Sequence, residues 1–207
     1  MQQIIAFSLI LIIAYLLGSI PTSYLMGRIL KKIDIRKFGS GNIGATNAFR
    51  VLGVKVGILT LIIDVAKGFF AIQLGKYILE NPDDLFLIFI GLAVILGHIC
   101  TIFLKFKGGK GVATSAGVFI ALIPIPVFIT LVVFILTVWI SKYVSLGSLI
   151  AALTLFITEL IININNSFAE IEILILIFII TVFIIIRHRE NIKRILKGNE
   201  NKIKFKK

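Results

Sequence analysis

Three short polar stretches hold most of the residues that could do chemistry. The first is FGSGNIGATNAFR, Phe38 to Arg50, where Gly39, Gly41 and Gly44 are spaced G-x-G-x-x-G. The second is FKGGKGVAT, Phe106 to Thr114, which runs through Lys107, Gly108, Gly109, Lys110 and Gly111. The third is RHREN, with His188 and Asn191 three residues apart. Glycines let successive backbone N–H groups converge on an anion, and a helix starting behind them adds partial positive charge. In the first stretch Ser40, Asn42, Thr46 and Asn47 add short hydrogen-bonding side chains, and Arg50 supplies a bidentate phosphate ligand. In the second, Lys107 and Lys110 flank or follow the glycines. Both stretches read as phosphate cradles, and two cradles imply substrates carrying two phosphates. A plain turn needs one or two glycines, and a cationic interfacial anchor needs none.

Other anion-binding readings fail on context. A dinucleotide fingerprint requires an apolar strand before the glycines and a βαβ unit around them. Here KKIDIRK precedes them, and Asp64, at the spacing of a ribose-binding acid, falls inside an apolar run. The second stretch lacks the upstream Gly and the Ser or Thr of a Walker A loop. His188 and Asn191, at i and i+3, share one helix face at the membrane surface. A basic cluster there is usually an orientation signal, but a His and an Asn aimed together favour a site. In YVSLGS, Ser145 and Ser148 stand at the mouth of an apolar run, and capping accounts for Ser145. GSIP, Gly18 to Pro21, is open to either small-residue helix packing or a site role. Asp34, Asp64, Asp83 and Asp84 are too dispersed to hold a metal, and Cys100 is alone, so neither metal, cofactor nor disulfide is expected. Neither His98 nor His188 has the Asp of a His–Asp acyltransferase dyad, and no H-E-x-x-H or G-x-S-x-G occurs.

The elements that must position these residues are membrane helices. Of 207 residues 58% are hydrophobic and 17 are Phe, and mean hydropathy is +1.07, more than a soluble domain of this size can bury. Several runs reach the roughly 20 residues needed to cross a bilayer. The expected fold is all-α and polytopic, a single membrane-embedded domain over 1–207. Spans are predicted at about 3–30, kinked by Pro21, then 53–79, 85–104, 146–164 and 171–186. The first apolar run reads as a retained span and not a signal peptide. Residues 112–140 are split at Pro124–Pro126 into two short helices forming a hairpin, which makes about seven helices. The net charge is +12 although only 15% of residues are charged, so positive charge is concentrated in few segments. With the hairpin, Lys31, Lys32, Arg36, Lys37, Lys105, Lys107, Lys110, Lys142, Arg187, Arg189, Lys193 and Arg194 share one side. That side is cytoplasmic by the positive-inside rule, with the N-terminus out and the C-terminus in. A six-span reading would separate Lys142 from the basic tail. Such charge reports orientation and anionic partners, not nucleic acid.

Taken together, LGSIPTSYL, GSGNIGATNAFR, GHICTIFLKFKGGKGVAT, KYVSLGS and RHRENIKR resemble the bacterial integral-membrane acyl-phosphate–glycerol-3-phosphate acyltransferases. The blocks cover nearly the whole chain in order. The resemblance implies transfer of a fatty acyl group from acyl phosphate to the sn-1 hydroxyl of glycerol 3-phosphate, giving lysophosphatidic acid and inorganic phosphate at the cytoplasmic face of the cell membrane. It also implies a site comprising Ser40, Arg50, Lys110, Ser148, His188 and Asn191, with the glycines of both loops around them. One departure is that Cys100 and Thr101 replace the usual aromatic–Pro after Gly-His, which bears on local geometry near His98. The competing classes are a transporter or flippase for a phosphorylated lipid or sugar, against which stand cradles at one interface and no inverted repeat, and a metal-dependent alcohol phosphotransferase.

Overall fold

The computed structural model describes residues 2–80, 82–167 and 170–203. Parts of the two turns read as acidic or polar (81, 168 and 169) and most of the Lys-rich end (204–207) lie outside the described residues. Among those described, all regular structure is helical: α1 (Gln2–Ser19), α2 (Thr22–Lys31), α3 (Ala45–Leu52), α4 (Val54–Ile78), α5 (Asp84–Ile99), α6 (Val112–Leu122), α7 (Pro124–Ser141), α8 (Val144–Asn165), α9 (Ile171–Arg187) and α10 (Arg189–Leu196), with 3₁₀ turns at Ile35–Lys37 and Ile102–Leu104. Four helices are long and apolar enough to cross a membrane: α4, α5 with its 3₁₀ turn, α7 and α8. There are six if the bent pairs α1–α2 (42°) and α9–α10 (57°) each count once.

The expected kink at Pro21 is a full break, with Pro21 preceding α2 outside either helix. The expected pair of short helices is also corrected. Only α6 is short, at 11 residues. α7 has 18 and meets the length and apolarity of a span. The break falls at Ile123, so Pro124 and Pro126 sit in the first turn of α7. There their missing N–H groups have no intrahelical partner to lose and their fixed φ suits a helix start.

Two compact units divide the chain, Met1–Leu122 and Ile123–Lys207. In the first, α1 packs on α5, and α4 packs on α6, α3 and α5. Bilayers supply no hydrophobic drive between helices, so close backbone approach through small residues has to hold them. A Cβ on Gly18 would overlap the Val94 carbonyl oxygen and one on Gly97 that of Tyr15; Gly68 and Gly117 relate to Thr114 and Val65 in the same way across α4 and α6. GSIP therefore serves packing. Thr101 hydroxyl donates to Ser19 O, and Tyr15 Oη donates to Cys100 O at 2.8 Å, which ties the residues replacing aromatic–Pro to the end of α1. In the second unit α7 packs on α8, α8 on α9, and α10 on both α8 and α9. Thr181 Oγ1 donates to Ala152 O at 3.3 Å, and Ile203 N–H to Lys142 O at 2.9 Å.

Candidate active site

The first glycine loop is organised by one amide. Asn47, in the first turn of α3 and fully buried, donates from Nδ2 to the carbonyls of Asn42 (2.9 Å), Phe38 (3.1 Å) and Ile35 (3.3 Å), while its Oδ1 accepts the Ser40 N–H at 2.9 Å. The sequence grouped Asn47 with the phosphate ligands; here its side chain is committed to the loop's own backbone. Asn42 Oδ1 accepts the Gly44 N–H at 2.8 Å, closing the turn that leads into α3. Gly39 and Gly41 have φ of +61° and +72°, the left-handed region where Cβ-bearing residues are strained. Ser23 hydroxyl donates to Ile43 O, which fastens the loop to α2. Ser40 is exposed; Thr46 and Arg50, in the first and last turns of α3, are half-buried.

Upstream, Asp34 accepts a bidentate pair from Arg36 at 2.9 and 2.7 Å and lies 3.5 Å from Arg28. Hydrogen bonds from Arg36 hold the Asp34 carboxyl down at about 2. Both guanidinium groups also lie over the Tyr24 ring, at 5.0 and 5.3 Å. Two of the basic residues at this border are thus locally compensated.

The second glycine loop lies back along the end of α5. Gly109 N–H donates to His98 O and Gly108 N–H to Ile99 O, each at 3.0 Å. A Cβ on Gly108 would overlap His98 O, and one on Gly109 would overlap His98 Nε2. Gly108 is therefore dictated by backbone-to-backbone approach and Gly109 by the His98 ring packed against it. Lys105 and Phe106, which lead into it, both have positive φ, 56° and 61°, and such strain in non-glycine residues clusters at functional sites. Lys107 is exposed, Lys110 half-buried, and Gly111 (φ +86°) turns the chain into α6. Among the described residues, the buried hydroxyls of Thr114 and Ser115 in the first turns of α6 have no hydrogen-bond partner.

One apolar cluster joins the two loops. Leu104, three residues before Lys107, is buried with Ile35, Ile43, Ala48 and Leu52, and Tyr24, Ile33 and Val51 pack against them. Sequence-remote Gly-Lys and Gly-Arg segments thus share a hydrophobic floor within the first unit.

In the second unit, His188 and Asn191 are not on one continuous helix face. His188 ends α9 and precedes α10, and Asn191 stands in the first turn of α10. His188 Nδ1 faces Ile184 O at 2.8 Å. A carbonyl only accepts, so Nδ1 carries the proton and Nε2 of the neutral ring is the acceptor. Ser148 Oγ donates to Val144 O at 3.0 Å. Ser145 is no cap: its Oγ donates to Glu200 Oε1 at 3.0 Å, and Asn191 Nδ2 donates to the same oxygen at 2.7 Å. Arg194 Nε takes the other oxygen at 2.7 Å. Burial pushes the Glu200 carboxyl up, but hydrogen bonds from Arg194, Asn191 and Ser145 outweigh it and hold the group below its ordinary value. Glu200 is the residue sequence reasoning missed. Its one signal was an acid in an otherwise basic tail.

A chain whose helices are long and apolar enough to cross a bilayer, with glycine loops between them, defines an integral membrane protein. The family described as glycerol-3-phosphate acyltransferase matches residues 8–198, and the chain belongs to that family. It is 50% identical over 195 residues to glycerol-3-phosphate acyltransferase 2 of Bacillus anthracis, covering 94% of this chain and 98% of that one. It is 49% identical over 200 residues to the glycerol-3-phosphate acyltransferase of Macrococcus caseolyticus, covering 97% and 98%. Its fold is similar to the crystal structure of PlsY (YgiH), an integral membrane glycerol 3-phosphate acyltransferase, in the glycerol 3-phosphate form, with TM-score 0.85, 38% identity and 96% of each chain covered. The lysophosphatidic acid form of PlsY gives TM-score 0.83 at 37% identity, covering 96% of this chain and 95% of that one.

Proposed function

We propose that this protein moves a fatty acyl group from an acyl phosphate to the sn-1 hydroxyl of glycerol 3-phosphate, giving lysophosphatidic acid and inorganic phosphate. This would be the first acylation of phospholipid synthesis. Family membership supports the acceptor and the reaction type. The observation that carries the reading is the apolar cluster in which Leu104, just before Phe106–Gly111, packs with Ile43 and Ala48 of Phe38–Arg50, so that both glycine loops belong to one compact unit.

An acyl phosphate is a mixed anhydride and already activated, so no protein nucleophile is required. The glycerol hydroxyl oxygen attacks the acyl carbonyl carbon, the carbon–oxygen bond to phosphate breaks, and phosphate leaves with the electron pair. The protein's work is to hold two anions together and stabilise charge on the carbonyl oxygen. Alignment of two reactants supplies up to about 7–11 kcal/mol. Each donor aimed at the developing oxyanion adds about 3 kcal/mol. Gly39, Gly41, Gly44, Gly108, Gly109 and Gly111 leave room for the phosphates against bare backbone, and Ser40, Asn42, Thr46 and Lys107 bind them; the N–H groups of Gly41, Gly44, Gly108 and Gly109 are spent on Phe38 O, Asn42 Oδ1, Ile99 O and His98 O and shape the loops. Arg50 and Lys110 offset the repulsion between the two phosphates. Asn47 holds the first loop in shape. Ser148, His188 and Asn191 bind substrate, and the hydroxyl proton passes to His188 Nε2 or to the departing phosphate. The reading takes 1–207 as one catalytic domain. It places the N-terminus out, the C-terminus in and the loops at the cytoplasmic border of the cell membrane, where the acyl chain stays in lipid.

The test is purified protein with palmitoyl phosphate and glycerol 3-phosphate in excess chelator. Lysophosphatidic acid and phosphate formed one to one is the expected result. No product, or product only from a thioester donor, overturns the reading. Lys110→Ala is expected to lose turnover at unchanged melting temperature, and near-normal turnover removes Lys110 from the site.

A further inference from the structure

Behind the Gly108–Gly109 strand lies a polar cluster that the reaction above does not use. Thr22, Asp64, Lys67 and His98, from α2, α4 and α5, are each more than nine-tenths buried. Lys67 Nζ donates to Asp64 Oδ1 at 2.8 Å, to Thr22 Oγ1 at 2.6 Å and to Ile20 O at the α1–α2 break. Thr22 Oγ1 donates to the same Asp64 oxygen at 2.8 Å. His98 Nδ1 stands 4.0 Å from that oxygen, beyond hydrogen-bond length but within electrostatic reach. The far edge of the imidazole lies against Gly109. A Cβ there would overlap Nε2 and stand 3.0 and 3.1 Å from Cδ2 and Cε1.

Buried ion pairs cost several kcal/mol of desolvation per ion and are weak evidence for a stabilising role. Ionisable groups inside membrane helices are functional candidates by default. A glycine strand left to itself is the most conformationally free backbone available, so Lys110 at its end would have to be ordered at every binding event. Here the strand is fixed from one side, by two hydrogen bonds to the carbonyls of His98 and Ile99 and by the imidazole edge against Gly109. The imidazole in turn faces a carboxylate that Lys67 and Thr22 hold in place.

We propose that His98, oriented by Asp64, is a positioning residue that pre-shapes the Gly108–Lys110 strand to receive a phosphate group. This rests on the phosphate-binding part of the reading above. The ring need not touch substrate; it fixes the backbone that carries Lys110.

The experiment compares His98→Ala, His98→Asn and His98→Gln. Gln places an amide nitrogen where Nε2 stands, whereas Asn reaches only as far as Nδ1. Two quantities are read in detergent: the rise in melting temperature produced by inorganic phosphate, and KM against kcat for palmitoyl phosphate. His98→Ala and His98→Asn are expected to weaken phosphate and raise KM by about tenfold with a smaller change in kcat, and His98→Gln to stay within about threefold of the unaltered protein. Gly109→Ala is expected to abolish the phosphate response, because its methyl group overlaps Nε2, and His98→Ala/Gly109→Ala to restore part of it. An unaltered phosphate response in His98→Ala overturns the proposal. So does a loss in all three variants that merely follows their melting temperatures, or a double variant whose losses add. Where His98→Ala does not fold, the Gln and Asn pair decides. Phosphate binding is read without turnover: an unaltered protein that binds phosphate through His98 yet forms no lysophosphatidic acid sinks the acyl-transfer reading and leaves this one standing.

Discussion

Asn191 donates from Nδ2 to Glu200 Oε1 at 2.7 Å, and through that one oxygen it is bound to Ser145 at the head of α8. Glu200→Ala leaves buried donors on Asn191 and Ser145 unmatched and is expected to cost about 2–4 kcal/mol, measured by thermal unfolding in detergent. The same carboxylate sets a pH dependence. Its folded value is depressed, so its contribution is fully present above the ordinary carboxylate range, about 4.3, and is lost as pH falls through the folded value. Melting temperature measured downward from pH 6 should show this acid-side loss, and Glu200→Gln should show a smaller one.

Asn47 makes four hydrogen bonds in which its amide is donor to three carbonyls and acceptor from one N–H. Asn47→Ala is expected to destabilise by about 2–4 kcal/mol. Asn47→Asp keeps the acceptor but turns a second oxygen toward the carbonyls of Ile35, Phe38 and Asn42, and is expected to be no better than Ala in unfolding temperature or phosphate affinity. Recovery in the Asp variant would mean that the donors are dispensable.

Two glycines separate close approach from backbone conformation. Gly108→Ala drives a methyl group into the carbonyls of His98 and Ile99, which hold the strand. Turnover is expected to fall by at least about a hundredfold, since displacing a positioned group by an ångström costs that much. Gly53, before α4, has φ +99° and nothing within 4 Å of a Cβ. Gly53→Ala should cost only the backbone strain, about 1–3 kcal/mol in unfolding, with kcat near normal.

His188 Nδ1 donates to Ile184 O, which leaves Nε2 of the neutral ring as its acceptor. If His188 is the general base, the acid limb of the kcat/KM profile reports its protonation. His188→Gln keeps a donor and an acceptor but cannot titrate. A slower enzyme with an unchanged pH profile assigns the proton to the departing phosphate, and loss of the acid limb assigns it to His188.

The glycine loops were legible because what they require, N–H groups without side chains in the way, is written directly as glycine; close approach at Gly108 and Gly109 is its structural form. The spans were legible from length and apolarity. The break at Pro124–Pro126 was legible too, but not the length of the helix after it, because prolines in a first turn start a full-length helix as readily as a short one. Asn47 was grouped with ligands since an amide's type does not say whether it faces substrate or its own loop. Ser145 was read as a cap because its partner, Glu200, lies 55 residues away, and no local pattern announces such a pairing. The cluster of Asp64 with Lys67 did leave a trace, an acid and a base at i and i+3 in an apolar helix. That spacing does not announce the third partner, since His98 comes from α5, 34 residues beyond Asp64.

Leu104, Ile35, Ile43, Ala48 and Leu52 give the two loops a dry core of their own. On the proposed reading, a headgroup-binding apparatus with its own keel does not borrow rigidity from surrounding lipid. Recognition of the small water-soluble acceptor should therefore survive transfer from bilayer to micelle, while capture of the long-chain donor answers to the thickness and fluidity of whatever amphiphile surrounds the helices.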